Sequence, residues 1–222
     1  MSQNSYTLRL NMVNGQLRTI GVVSENILKA FLRLEREKFI DTDYKDIAYI
    51  DGDLPFNGIS PARYIMKPGA LAKLLQLCAF KNTDKVLHIG ANTGYATTII
   101  ASIARHIVAL ESDGLLIERL KQAVASYYLS NVKIVQGDLS AGYKHDSFYN
   151  VIFIEGAVDE VPKNLFEQLK YDGRLIVVKG NAYNGFAKVY IKRNSNISSS
   201  IEFNLNVKQL PGFCSYSAYS FY

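Results

Sequence analysis

Two carboxylates stand where short apolar runs end. Glu111 closes the run 107–110, and Asp138 follows the run 132–135 after Gly137. An ionised carboxylate only accepts hydrogen bonds, so both suit a ligand that offers hydroxyl or amine donors. Upstream, the apolar run 86–89 leads into Gly90-Ala-Asn-Thr-Gly94. A glycine after a strand lets the chain bend sharply, and a second one lets a ligand approach the backbone. Asn92, between them, tolerates the left-handed conformation better than other non-glycine residues. Glu111 lies 21 positions after Gly90, a spacing at which an acid can accept both hydroxyls of a ribose. His88 sits inside the first run. His106 and His145 have no evident partner. There is no G-x-S-x-G, H-E-x-x-H or Walker loop, so hydrolase, zinc-protease and P-loop chemistry have nothing to rest on.

The elements that position these residues alternate strand and helix. Strands are expected at 86–89, 107–110, 132–135, 149–154 and 175–178, the first two apolar enough to be buried. Helices are expected at 95–105 and from Asp113, a capping residue, to about 129. A short one around Leu165, Phe166 and Leu169 stops near Gly173. Ahead of them, Pro68 suits the first turn of a helix buried through Leu71, Leu74, Leu75 and Cys78. Ser24 can cap another, with Ile27, Leu28, Phe31 and Leu32 on its apolar face, and Glu35 to Lys38 read as its solvated end. Residues 1–23 are polar, and 39–57 lack a regular period and read as a loop. Beyond Gly180, 187–191 and 201–207 form a hairpin of antiparallel additions, followed by a Tyr- and Phe-rich segment, 216–222. The expected architecture is an α/β doubly wound fold. A mostly parallel central sheet carries helices on both faces, with antiparallel C-terminal strands and an N-terminal helical extension. We expect one domain over 1–222: N-terminal helices and a substrate-side loop in 1–80, a ligand-binding core in 81–180 and the added strands in 181–222.

In such a fold the ligand lies beyond the carboxyl ends of the strands. The dinucleotide pattern G-x-G-x-x-G would need its third glycine at Tyr95, whereas G-x-N-x-G looks like the G-x-G-x-G turn of S-adenosylmethionine methyltransferases, with Asn92 in the middle. On that reading Glu111 holds the ribose hydroxyls and Asp138 accepts from the adenine amine, with the Leu139 backbone beside it. Gly90, Asn92 and Gly94 shape the turn. His88, where such enzymes usually place an acid, either contacts the methionine part through water or is a satisfied core histidine.

The likeness then extends over most of the chain. LRLEREKFI, Ala48-Tyr49, Asp53-Leu54-Pro55, VLHIGANTGY, VALE, NVKIVQGD, YNVIFIEGAVDEVP and LFEQLKYDGRLIVVKG occur in the order and spacing of one family. The chain resembles the protein-L-isoaspartate O-methyltransferases. That resemblance implies a Rossmann-like fold, S-adenosylmethionine as cofactor, and methylation of isoaspartyl α-carboxylates in damaged proteins. It also puts Met66 where the family has a serine tied to catalysis, within Ile-Met-Lys-Pro-Gly-Ala-Leu-Ala at 65–72. A thioether cannot donate. Ser60 is a candidate replacement from the same loop, and Arg63 or Lys67 could attract an acceptor carboxylate by charge. The family's Thr-Ala-Ala after the fourth strand is Glu155-Gly156-Ala157, and a carboxylate there disfavours an anionic neighbour. The expected function is an S-adenosylmethionine-dependent methyltransferase with weak or absent isoaspartyl transfer. The alternatives are a cofactor-binding protein without transfer, or a methyltransferase acting on RNA.

Composition bounds these readings. The net charge is +5 over 222 residues, and 48% of the residues are hydrophobic. The densest basic cluster, Lys188, Lys192 and Arg193, reads as a solvated strand edge, which argues against a nucleic-acid partner; a protein or peptide substrate is what the resemblance implies. Cys78 and Cys214 are far apart and match no zinc or disulfide spacing, so no metal is expected. With no apolar signal core or membrane-length run, a cytoplasmic protein is expected.

Overall fold

The apolar runs pair as strands because each is flanked by turn signals, and helices follow the first, second and fourth of them. The structure, a computed structural model, describes residues 4–181, 183–194 and 196–213. In chain order the elements are helix α1 (Ser5–Met12), α2 (Glu25–Arg33), strands β1 (Leu54–Pro55) and β2 (Tyr64–Ile65), α3 (Pro68–Cys78), β3 (Lys85–Ile89), α4 (Tyr95–Ala101), β4 (His106–Glu111), α5 (Gly114–Ser126), β5 (Val132–Gln136), β6 (Tyr149–Val158), α6 (Lys163–Glu167), β7 (Leu169–Gly180), β8 (Gly185–Arg193) and β9 (Asn196–Asn204).

Strands β3 to β9 form one sheet in the order β5-β4-β3-β6-β7-β8-β9. The first five are parallel, and β8 and β9 add antiparallel to β7. The chain leaves β3 for β4 on one side and later returns to β6 on the other. The topological switch point therefore falls between the carboxyl ends of β3 and β6. One face of the sheet is covered by α2 to α5, through residues such as Phe31, Leu71, Ile99 and Leu120. The other is thinner: Leu165 of α6 joins Leu139, Leu210 and Phe213 over Leu87, Ile89 and Leu110. Among the described residues no helix is long and apolar enough to cross a membrane, and no group of three His, Cys, Asp or Glu could hold a metal.

Several local expectations change. The polar N-terminus is helical: α1 runs on through a π-turn at Val13–Leu17 and a 3-10 turn at Arg18–Ile20, ending on Gly21 at φ 86°. The wider turn brings Met12, Val13 and Leu17 to the core out of regular step, which hides the helical period. The connector after Phe39 holds a 3-10 helix, Thr42–Ile47, and β1. Strand β6 does not stop at Ile154. It continues to Val158 across a register shift between Phe153 and Ala157, so Glu155 and Gly156 lie within the strand. Helix α5 is capped by Asp113, whose carboxylate accepts from the backbone N–H of Leu115 and Leu116, as the sequence suggests. The hairpin's second strand sits earlier than expected, at Asn196–Asn204. The basic cluster is engaged: Lys192 donates to the carbonyls of Phe166 and Glu167 at the end of α6 and of Leu169 at the start of β7, while Arg193 faces Asp172. Cys214 and the segment 216–222 lie outside the described residues.

Candidate active site

The turn after β3 takes the shape its residues allow. Gly90, Asn92 and Gly94 have φ of 79°, 51° and 93°. At Gly90 the glycine answers two demands at once, since a Cβ there would also lie 2.9 Å from a methyl of Leu210. The backbone N–H of Asn92 points across to β4 and donates to Glu111 Oε2 at 2.9 Å. The Asn92 side-chain oxygen is buried with no hydrogen-bond partner among the described residues.

Glu111 is 0% exposed. Arg63, just ahead of β2, meets it with both terminal nitrogens: Nη1 donates to Oε1 at 2.6 Å and Nη2 to Oε2 at 2.8 Å. The backbone N–H groups of Ser112 and Asp113 add to Oε1 at 2.7 and 3.2 Å. Burial pushes the Glu111 carboxyl up, but the guanidinium and the backbone donors outweigh it and leave the group below the usual carboxylate range. Such a bidentate, charge-assisted pair is stronger than neutral hydrogen bonds. Arg63 is therefore not a free cation awaiting an acceptor carboxylate, as its loop position suggested; its charge is committed to Glu111.

A second buried pair lies across the switch point. His88 Nε2 is 3.0 Å from Glu155 Oε2, and His88 Nδ1 is 2.9 Å from Thr97 Oγ1 of α4. A carboxylate only accepts, so with Glu155 ionised the donor of this pair is His88 Nε2. The histidine in place of an acid and the acid in place of a small residue are thus one exchange between adjacent strands. Phe153 stacks on the imidazole with ring centroids 5.3 Å apart. Glu155 does not point freely toward a substrate: it is 5% exposed and turned to His88.

Beneath the substrate-side loop lies Arg36, fully buried, although the charged run Glu35 to Lys38 read as solvated. Its Nε donates to the Ala48 carbonyl at 2.8 Å and its Nη2 to the Met66 carbonyl at 3.0 Å, while the guanidinium packs on the Tyr95 ring at 5.0 Å. Burial pushes the Arg36 guanidinium down, and Tyr95, Glu155 and Asp53 push it back up. Arg36 Nη1 and the Tyr95 hydroxyl have no hydrogen-bond partner among the described residues. Met66 is buried, whereas Ser60 is exposed and lines a cleft of about 160 Å³ with Ile59, Pro61, Arg63, Asp113 and Pro211. The backbone of Lys67 is held by Asp53, its N–H donating at 2.8 Å.

At the end of β5, Asp138 is exposed and caps its own turn: Oδ1 accepts from the N–H and hydroxyl of Ser140, both at 2.8 Å. Leu139 is buried against the second core face. Over the switch point runs the segment around Leu210. Leu210 N–H donates to the Ala157 carbonyl at 2.8 Å, and Ala157 N–H to the Lys208 carbonyl at 3.0 Å. A Cβ at Gly156 would stand 2.8 Å from Leu210 Cβ.

These residues match S-adenosylmethionine in type: a glycine turn, an acid at the end of β4 and another beyond β5. They do not match it in arrangement. The Glu111 oxygens expected for a ribose diol both accept from Arg63. In the sequence, Glu111 and the turn stand out, Arg63 has a different part as a cation for the acceptor, Arg36 reads as solvated, and neither Thr97 nor Leu210 is singled out. The departures at His88 and Glu155 from the expected residue types are the one signal of that pair.

Comparisons with known proteins fit this geometry. The model of the protein-L-isoaspartate(D-aspartate) O-methyltransferase family matches residues 9–211. A protein-L-isoaspartate O-methyltransferase of Petrotoga mobilis is 33% identical over 171 residues, covering 77% of this chain and 79% of that protein. One of Klebsiella pneumoniae is 28% identical over 194 residues, covering 87% and 92%. A solved protein-L-isoaspartate O-methyltransferase superposes with a TM-score of 0.81 at 26% identity, over 92% of this chain and 67% of its own. A Plasmodium falciparum structure shares the fold with a TM-score of 0.77 at 18% identity, over 95% of this chain and 100% of its own. The family match over nearly the whole sheet, with the glycine turn and Glu111 at the strand ends, shows that the chain belongs to the protein-L-isoaspartate O-methyltransferase family, S-adenosylmethionine-dependent methyltransferases of Rossmann-like fold.

Proposed function

We propose that this chain methylates a carboxylate of a protein or peptide substrate of the isoaspartyl class, and does so weakly because Met66 stands at the serine position. What supports a carboxylate acceptor is Arg36: a buried cation directly under the Met66 carbonyl, with Nη1 unpartnered among the described residues. An anion brought to that place would gain a charge-assisted hydrogen bond. The sulfonium of the cofactor carries an activated methyl group, so the protein's contribution is positioning and exclusion of water. We assign Gly90, Asn92, Gly94, Glu111, Asp138 and Leu139 to the cofactor side. His88 is assigned to orienting Glu155 rather than to a bridging water. The loop 54–68 forms the acceptor side, with the chain working as one domain in a reducing, cytoplasmic compartment. Ser60 is exposed and bonds to nothing described, which favours an ordinary loop serine.

The test is transfer of labelled methyl from S-adenosylmethionine to an isoaspartyl peptide, its aspartyl isomer and RNA. The expected result is low incorporation into the isoaspartyl peptide alone, rising when Met66→Ser restores a hydroxyl. Label in RNA, or none in any acceptor before and after the substitution, contradicts the reading. Wild-type transfer already equal to that of a serine-containing relative contradicts the weight placed on Met66.

A further inference from the structure

We propose that Arg63 is an affinity-determining latch on the ribose subsite: its guanidinium competes with the cofactor's ribose diol for the same two oxygens of Glu111. The inference rests on the family's cofactor being this chain's cofactor. Glu111 is fully buried at the end of β4, and both its oxygens already accept from Arg63 at 2.6 and 2.8 Å. Backbone N–H groups of Asn92, Ser112 and Asp113 fill further acceptor positions. A carboxylate has about four lone-pair sites. The backbone donors belong to the turn and to the strand end, so they stay; only Arg63 sits on a side chain from a separate loop. A diol can reach Glu111 only where the guanidinium now lies.

The setting makes Arg63 a movable part. It precedes β2, which pairs with β1, and its own carbonyl accepts from the Phe56 N–H at 3.0 Å, so the short ladder holds its backbone and the side chain is the part that can turn. Beside it the cleft of about 160 Å³ between Pro61, Ser112, Asp113 and Pro211 offers space on the solvent side. A cofactor binds by exchanging one set of hydrogen bonds to Glu111 for another, and the protein without cofactor is stabilised by the pair that must break. Apparent affinity equals the intrinsic affinity multiplied by the fraction of molecules in which the latch is open. Arg63 is thus specific to the unliganded state, and its removal strengthens binding while weakening the empty protein.

The experiment is calorimetry with S-adenosylhomocysteine on wild type, Arg63→Gln, Arg63→Lys and the double variant Arg63→Gln/Glu111→Gln, with thermal melting of each protein with and without the ligand. Arg63→Gln should bind at least 10-fold tighter than wild type, about 1.4 kcal/mol. Arg63→Lys, a cation without the fork, should fall between. The double variant should lose the gain, because the freed carboxylate is what the ribose uses. Without ligand, Arg63→Gln should melt below wild type, and saturating ligand should raise its melting temperature by more. Should Arg63→Gln destabilise the fold too far, the lysine variant carries the same comparison. Wild type that binds as tightly as the variants, or more tightly, overturns the latch and leaves the cofactor reading intact. Binding by none of the proteins overturns the cofactor reading itself, and the latch with it.

Discussion

Strand β3 has an acidic neighbour on each side, and the two acids are held in opposite ways. Glu111, on β4, is clamped by a fully charged fork and by three backbone N–H groups. Glu155, on β6, has the single imidazole of His88 as its side-chain partner. Both are buried, so neither can rely on water. Glu111 keeps its charge through a cation borrowed from a loop, which makes the site dependent on where that loop sits. Glu155 keeps its place through a residue on the adjacent strand, whose position the sheet fixes. The Glu111 side of the crevice is therefore the adjustable one, and the Glu155 side is fixed by the sheet.

The largest effect should come from breaking the clamp. Arg63→Ala leaves a buried carboxylate without its cation, and single removals of that kind cost about 3–5 kcal/mol. Urea unfolding at neutral pH measures it. The loss is pH-dependent. Glu111 in the folded protein lies below its unfolded value, so the pair stabilises above the unfolded carboxylate pKa, about 4.3. That stabilisation disappears as pH falls through the folded value. The gap between wild type and Arg63→Ala should accordingly be widest near neutral pH and close in acid. A gap that stays constant from neutral to acid would mean that Arg63 acts by packing alone. A smaller effect is expected on the other side. Glu155→Gln keeps an acceptor for His88 Nε2, so its cost should stay within about 0.5–1.5 kcal/mol, as for an ordinary hydrogen bond. A loss as large as that of Arg63→Ala would show that the two carboxylates are held alike, and would end the comparison.

The sequence made the adjustable side only half visible. Glu111 was legible because a strand's end and a glycine turn locate it without knowledge of the rest of the fold. Its partner was not, because Arg63 lies 48 residues earlier in a loop without periodicity, and nothing local says which way a loop arginine turns. Arg36 was misread for the same reason: in a run of alternating charges, the one that folds inward to Tyr95 and Met66 looks like its neighbours. His88 and Glu155 each stood out as a departure from the family. That the two compensate each other needed the parallel register of β3 and β6, in which His88 lies opposite Phe153, two residues before Glu155. The strands themselves were easy, since continuous apolar runs between turns leave few alternatives. The N-terminal helix was hidden by a π-turn that breaks its period.

The central claim is that the carboxyl end of β4 is the cofactor's ribose site and that Arg63 guards it. A crystal structure with S-adenosylhomocysteine tests this most directly. The account predicts the ribose hydroxyls on Glu111, with the Arg63 guanidinium displaced toward the cleft beside Pro61 and Pro211. Ligand bound with the Arg63–Glu111 pair intact and the ribose held by other residues would contradict it.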